Sequence, residues 1–342
     1  MITLRYHIVA FAAMFLALAV GVVLGSTAIS DRLLASMGTG SSAELPDRIA
    51  ELEAEQAELT ARAGQADTFA AEVAAGAVAG RLTGLSVTMV STSAAESEDR
   101  DATRDLIVEA GGTVAGELAL TDGFTDPARA DQLRDLVRGV LPAGVQLPTA
   151  ADPGTMAGGL LGALLLIDEE TGQPQASPEE GAAALGGLID GGFVQAGADA
   201  SPAELVVVLD GGADDVGDRA SVVARFAAQL DRAGAGAVLT GHRDAAARTG
   251  SIGHVRGDAS AASILSTVDS LDRAEARIAV VLALGEQHAG GAGHYGFADG
   301  AAGLLPADPG LRTVVVDTPD ESGGTPEETA AEDVDQTSLG GG

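Results

Sequence analysis

Four residues in this chain combine suitable side chains with suggestive surroundings for holding a cation: Asp210, His242, His288 and His294. Asp210 and His242 each follow a short apolar run, 205–209 in the first case and 236–240 in the second. Runs of that length and composition read as strands buried on both faces. In open parallel sheets, ligands gather at the carboxyl ends of the strands. Those ends are here Asp210-Gly211-Gly212 and Gly241-His242-Arg243-Asp244. Consecutive strands are often neighbours, so Asp210 and His242 could meet and take a metal or a small polar ligand. A plainer reading weighs more, with the glycines forming a turn and His242 lying on the surface. His288 and His294 belong to a glycine-rich stretch, 285–296, with Glu286 and Tyr295. Imidazole and carboxylate suit Cu(II) or zinc. A spacing of six does not put both histidines on one helix face, so the loop would have to fold back, and a structural glycine loop is the stronger alternative. Gly291, Gly293 and Gly296 also spell G-x-G-x-x-G. A dinucleotide site needs a strand before and a helix after, and Pro306 and Pro309 leave little room for that helix.

Other chemistry is thinly represented. There is no G-x-S-x-G and no H-E-x-x-H, and all 19 basic residues are Arg, so no P-loop lysine exists. The chain reads as a non-enzyme. It has no cysteine, so neither a disulfide nor a thiolate site for zinc or Cu(I) is available. No cofactor is expected. The net charge of −31 leaves no basic stripe for nucleic acid and opposes adhesion to anionic lipid.

The elements that would position these residues read as α/β. Strands are expected at 85–90, 113–120, 205–209, 236–240 and 264–268. Helices are expected at 99–110, from Asp126-Pro127 through Val140, from Asp152-Pro153 to about residue 167, at 179–189 and at 217–232. Residues 273–284 read as a helix, with a strand as the alternative. Strands alternating with helices imply a mainly parallel sheet with crossover helices, in an exported domain at 80–316 that could divide into halves near 150–200. From Asp317 the tail to residue 342 carries eight acidic residues and no basic one, a composition expected to be disordered.

Two stretches precede that domain. Residues 8–24 hold seventeen residues without charge, roughly 26 Å as a helix, at the short end of a membrane span. Segment 1–30 is therefore read as an anchor, or as a signal cleaved after Ala28. Both readings place the bulk of the chain outside the cytoplasm, in the cell envelope. Segment 31–79 is read as helical. Leu45, Ile49, Leu52, Gln56, Leu59, Ala63, Ala66, Ala70 and Val73 alternate spacings of four and three. That is a heptad seam for pairing with a copy of itself or a partner, and in a parallel pair Arg48 would face Glu53 and Arg62 would face Asp67. The alternative is an amphipathic helix lying on its own domain.

The opening ITLRYHIVAFAAMFLALAVGVVLGS, the heptad helix, the later STVDSLDRAEARIAVVLALGEQ and the closing GGAGHYG resemble the actinobacterial MctB family of copper transport outer-membrane proteins, over about residues 2–300. The resemblance implies a protein of the cell envelope, with the outer membrane as one location, tied to copper export or tolerance, copper being a transported or weakly bound ion. It also implies a second role met in corynebacterial relatives, in which a non-enzymatic coiled-coil scaffold works with a cell-wall hydrolase complex in cell separation.

Overall fold

The computed structural model describes residues 41–307 apart from 151, 169–170, 197–199 and 213–217. The apolar stretch 8–24, Ala28 and the acidic tail from Asp317 lie outside the described residues. Among the described residues, no helix is long and apolar enough to cross a membrane.

The chain alternates as the apolar pattern requires. Helix α1 (Ser41–Val78) leads into β1 (Ser86–Ser91), α2 (Ser97–Glu109) and β2 (Thr113–Leu120). A short α3 (Asp122–Thr125) comes first, and the helix expected from Asp126 is then broken into two pieces, a 3-10 turn (Pro127–Arg129) and α4 (Ala130–Gly139). Asp126 still caps, accepting a hydrogen bond from the Ala128 amide at 2.9 Å. Then come α5 (Pro153–Leu165), α6 (Pro178–Asp190), β3 (Val194–Ala196), β4 (Leu205–Leu209), α7 (Arg219–Asp231) and β5 (Ala237–Thr240). The chain ends its described course with α8 (Ser251–Gly257), α9 (Ala259–Ala262), β6 (Ser266–Val268), α10 (Ala274–His288) and β7 (His294–Tyr295). Of residues 273–284, all but the N-cap Arg273 thus fall in a helix.

Seven strands form one sheet in the order β3-β2-β1-β4-β5-β6-β7, taking strands from both sides of residues 150–200. All neighbours are parallel except β3, which runs antiparallel on the edge beside β2. The order reverses at β1: β2 lies on one side of it and β4 on the other. Strand β4 sits at the centre and every one of its five residues is buried. Its alternation divides the core. Val206 and Val208 face a layer built from α4 to α8, with Leu160, Leu161, Phe226 and Ile252. Leu205, Val207 and Leu209 face a second layer built from α1, α2 and α10, with Val78, Ile107, Val280 and Leu284. Side chains alternate along a strand, so each position on β4 is committed to one layer.

Helix α1 changes character along its length. Residues 47–66 are exposed, and then Ala70, Ala74 and Val78 turn inward, 7, 5 and 0 % exposed. This 4-residue spacing is one helix face, and it packs on α10 and α2. The lower end of the heptad seam therefore lies on the chain's own domain. The Asp67 carboxylate, placed by sequence opposite a partner's Arg62, accepts instead from the Ala274 amide at 2.6 Å. It supplies from another helix the cap that α10 lacks, since its own N-cap residue is Arg273 with no capping side chain.

Two measurements check this packing. Asp67→Ala should cost about 0.5–2 kcal/mol, as loss of a helix cap does, and should speed hydrogen exchange at the Ala274 amide. Phe226 is fully buried and meets Phe124 edge-on at 5.1 Å. Phe226→Ala should lower stability to urea by about 3–5 kcal/mol.

Candidate functional site

Asp210 and His242 do stand at the carboxyl ends of adjacent strands, but they face opposite layers. In the pairing of β4 with β5, Val208 is opposite Leu239 and Leu209 is opposite Thr240. One step further, Asp210 comes level with Gly241, and His242 with Gly211, whose carbonyl accepts from the His242 amide at 3.1 Å. A one-residue offset in a strand reverses the face. Asp210 follows Val206 and Val208 toward α8, where it accepts from Ser251 Oγ at 2.5 Å and from Thr92 Oγ1 at 2.7 Å, with the Gly211 amide at 3.0 Å. It is 8 % exposed. This carboxylate locks the reversal point of the sheet, joining the ends of β1 and β4 to α8.

His242 turns toward α2 and α10 and finds a different carboxylate. Its Nε2 lies 2.7 Å from Asp99 Oδ2. The other oxygen of Asp99 accepts from Arg277 Nη2 at 2.9 Å. Asp99 is buried in the first turn of α2, where the positive end of the helix dipole favours an anion. Glu96 joins from just before that helix, and the ligand atoms of Glu96, Asp99 and His242 all lie within 4.8 Å of one another. Among the described residues, these three form the group that could hold a metal ion. Burial pulls the imidazole's pKa down, but the hydrogen bond and charge of Asp99, then the charges of Asp272 and Glu96, outweigh it and raise it above the ordinary value. Two carboxylates and one imidazole form a borderline-to-hard donor set, fit for Cu(II) or zinc and unsuited to Cu(I). A metal on Nε2 must displace a proton that Asp99 helps to hold. Sequence reasoning identified His242 but not Glu96 or Asp99. The available signal was the acidic run 96–101 at the carboxyl end of the first strand, the same location that drew attention to Asp210.

The glycine-rich stretch is organised around another carboxylate. Asp269, fully buried at the end of β6, accepts from the amides of Phe297 at 2.7 Å and Ala298 at 2.9 Å, and from Ser270 Oγ at 2.9 Å. Its second oxygen lies 2.9 Å from Arg256 Nη1, a pair 0 and 8 % exposed. Arg256 also donates to the Tyr295 carbonyl at 2.8 Å. Gly296, at φ +127°, lies against the Asp269 carboxyl group, where a Cβ would collide. Glu286 accepts from the Tyr295 hydroxyl at 2.6 Å, and burial followed by that bond pushes the phenol's pKa up. His294 Nδ1 lies 2.9 Å from Thr267 Oγ1, and burial with nearby Arg256 lowers its pKa. His288 is exposed in the last turn of α10. Neither histidine belongs to a three-ligand group among the described residues. The G-x-G-x-x-G lies after a helix and contains the two-residue β7, the wrong context for a dinucleotide.

The fold is thus a doubly wound α/β domain on a long helix, with a carboxylate–imidazole cluster at the carboxyl end of its sheet. The profile of the family described as "Copper transport outer membrane protein, MctB" matches residues 1–306. The chain is 38 % identical to the copper transporter MctB of Mycobacterium tuberculosis over 308 residues, 88 % of this chain and 98 % of that one. It is 36 % identical to the copper transporter MctB of Mycobacterium leprae over 314 residues, 89 % of this chain and 99 % of that one. The chain belongs to the MctB family.

Since the folded imidazole of His242 holds its proton more tightly than an unfolded one, its stabilising effect is complete below about pH 6.5 and is lost as pH rises through the raised folded value. The stability difference between the native protein and His242→Ala should be larger at pH 5.5 than at pH 8.5 in urea titrations. Arg256→Met leaves Asp269 as an unpaired buried charge and should cost about 3–5 kcal/mol, read from the same titrations.

Proposed function

We propose that this protein handles copper in the cell envelope and that its outer domain meets the metal as Cu(II) at Glu96, Asp99 and His242. Family membership over nearly the whole chain, with relatives named copper transporter, carries the copper reading. The donor set supplies the oxidation state. An exported chain without cysteine has no thiolate for Cu(I), while carboxylate and imidazole suit Cu(II). The surrounding acidity works in the same direction, since a net charge of −31 raises the local concentration of cations.

The cluster is built for reversible capture. Without metal, Asp99 is satisfied by His242 and Arg277, so its burial carries no large penalty. With metal, Glu96 adds an exposed oxygen that can swing in from solvent. Arg277 remains beside the ion and opposes it, which keeps affinity moderate. A carrier that must release its cargo needs that balance.

The test is cellular copper in a deletion strain. Restoring the full-length gene should return copper to the parental level. A gene carrying Asp99→Asn and His242→Ala should leave it raised while the protein accumulates normally. Parental copper in the deletion strain would remove the copper reading. Full correction by the double variant would remove the site.

A further inference from the structure

We propose that α1 pairs in parallel with α1 of a second copy of this chain over residues 49–66. The upper part of α1 presents the large apolar side chains of Ile49, Leu52 and Leu59 to solvent, at 54, 50 and 57 % exposure. With Gln56, Ala63 and Ala66 they form one seam at a and d positions. Phe69, 66 % exposed, sits at the g position where the seam reaches the domain, ready to close its lower edge.

The flanks specify a second copy. Across a parallel pair, Arg48 at g meets Glu53 at e of the other helix. Both are exposed, and among the described residues Arg48 pairs within its own helix, with Glu51 at 2.9 Å. Below that point the pairing code stops, because Asp67 is committed to α10 and Ala70 to the domain core. The interface is therefore short, about 27 Å at ~1.5 Å per residue.

Direction follows from two features. In a parallel pair Gln56 faces Gln56, and the two amides satisfy each other. In an antiparallel pair a faces d, and Gln56 would be buried against an apolar side chain without a partner. The apolar stretch 8–24 precedes α1 in each copy. Were that stretch to anchor both copies in one membrane, parallel α1 helices would be the arrangement it favours. Fewer than three heptads are marginal in solution, and such an anchor would raise the effective concentration and favour the pair.

The absence of native cysteine makes the test direct. Single Leu52→Cys, Leu59→Cys and Ala54→Cys variants of the full chain are expressed in membranes and treated with a short bismaleimide. These side chains are exposed, so the domain fold is unaffected. Leu52→Cys and Leu59→Cys at d should give covalent dimer several-fold above Ala54→Cys, which points outward at f. Adding Arg48→Glu to Leu52→Cys should lower the yield, and Arg48→Glu with Glu53→Arg should restore it. Equal yields at d and f, or no dimer at any position, would overturn self-pairing. Coupling of Leu52→Cys only to Ala63→Cys in mixed membranes would overturn the parallel arrangement.

Discussion

The carboxylate of Asp99 lies between an imidazole from the end of β5 and a guanidinium from α10, and the geometry of this end of the molecule depends on it. Two segments distant in sequence from it converge on its two oxygens. A carboxylate this buried must be paired, because an isolated charge there would cost several kcal/mol. Pairing with His242 and Arg277 meets that demand and fixes the ring of His242 with its Nε2 toward the group. Removing Asp99 would release the imidazole and expose Arg277 to its own desolvation cost. The same residue is thus structural in the resting protein and a ligand in the proposed metal-bound one.

Three buried aspartates occupy comparable places and do different work. Asp210 closes the reversal point of the sheet with two hydroxyls and an amide. Asp269 fastens the glycine loop through two amides and Arg256. In both, the oxygens are taken up by groups that do not leave. Asp99 alone of the three has a titratable base and an exposed carboxylate beside it. A proton on His242 can exchange for a metal ion, and Glu96 can complete the coordination.

Much of the architecture was legible because β-strand and helix periods differ so clearly. The run Leu205–Leu209, apolar at every position, marks the central strand, and the aspartate-proline pairs at 126 and 152 mark helix starts. Short edge strands were not legible, since Val194–Ala196 and His294–Tyr295 have too few residues to show alternation. The heptad seam reads truly as a helix, but its pattern cannot show that Ala70 lies on the helix's own domain. The site was half legible. The rule on strand ends led to His242, and the expected neighbour, Asp210, lies across the sheet because a one-residue offset reverses the face. Asp99 reaches His242 from a helix 143 residues earlier, and no local spacing encodes that contact.

In the proposed site His242 ligates Cu(II) together with carboxylate oxygens. Electron paramagnetic resonance of the purified protein with one equivalent of Cu(II) tests it most directly. The expected spectrum is axial with coupling to a single nitrogen, abolished in His242→Ala and unchanged in His288→Ala and His294→Ala. A spectrum unaffected by His242→Ala, or no specific Cu(II) signal from the native protein, would contradict it.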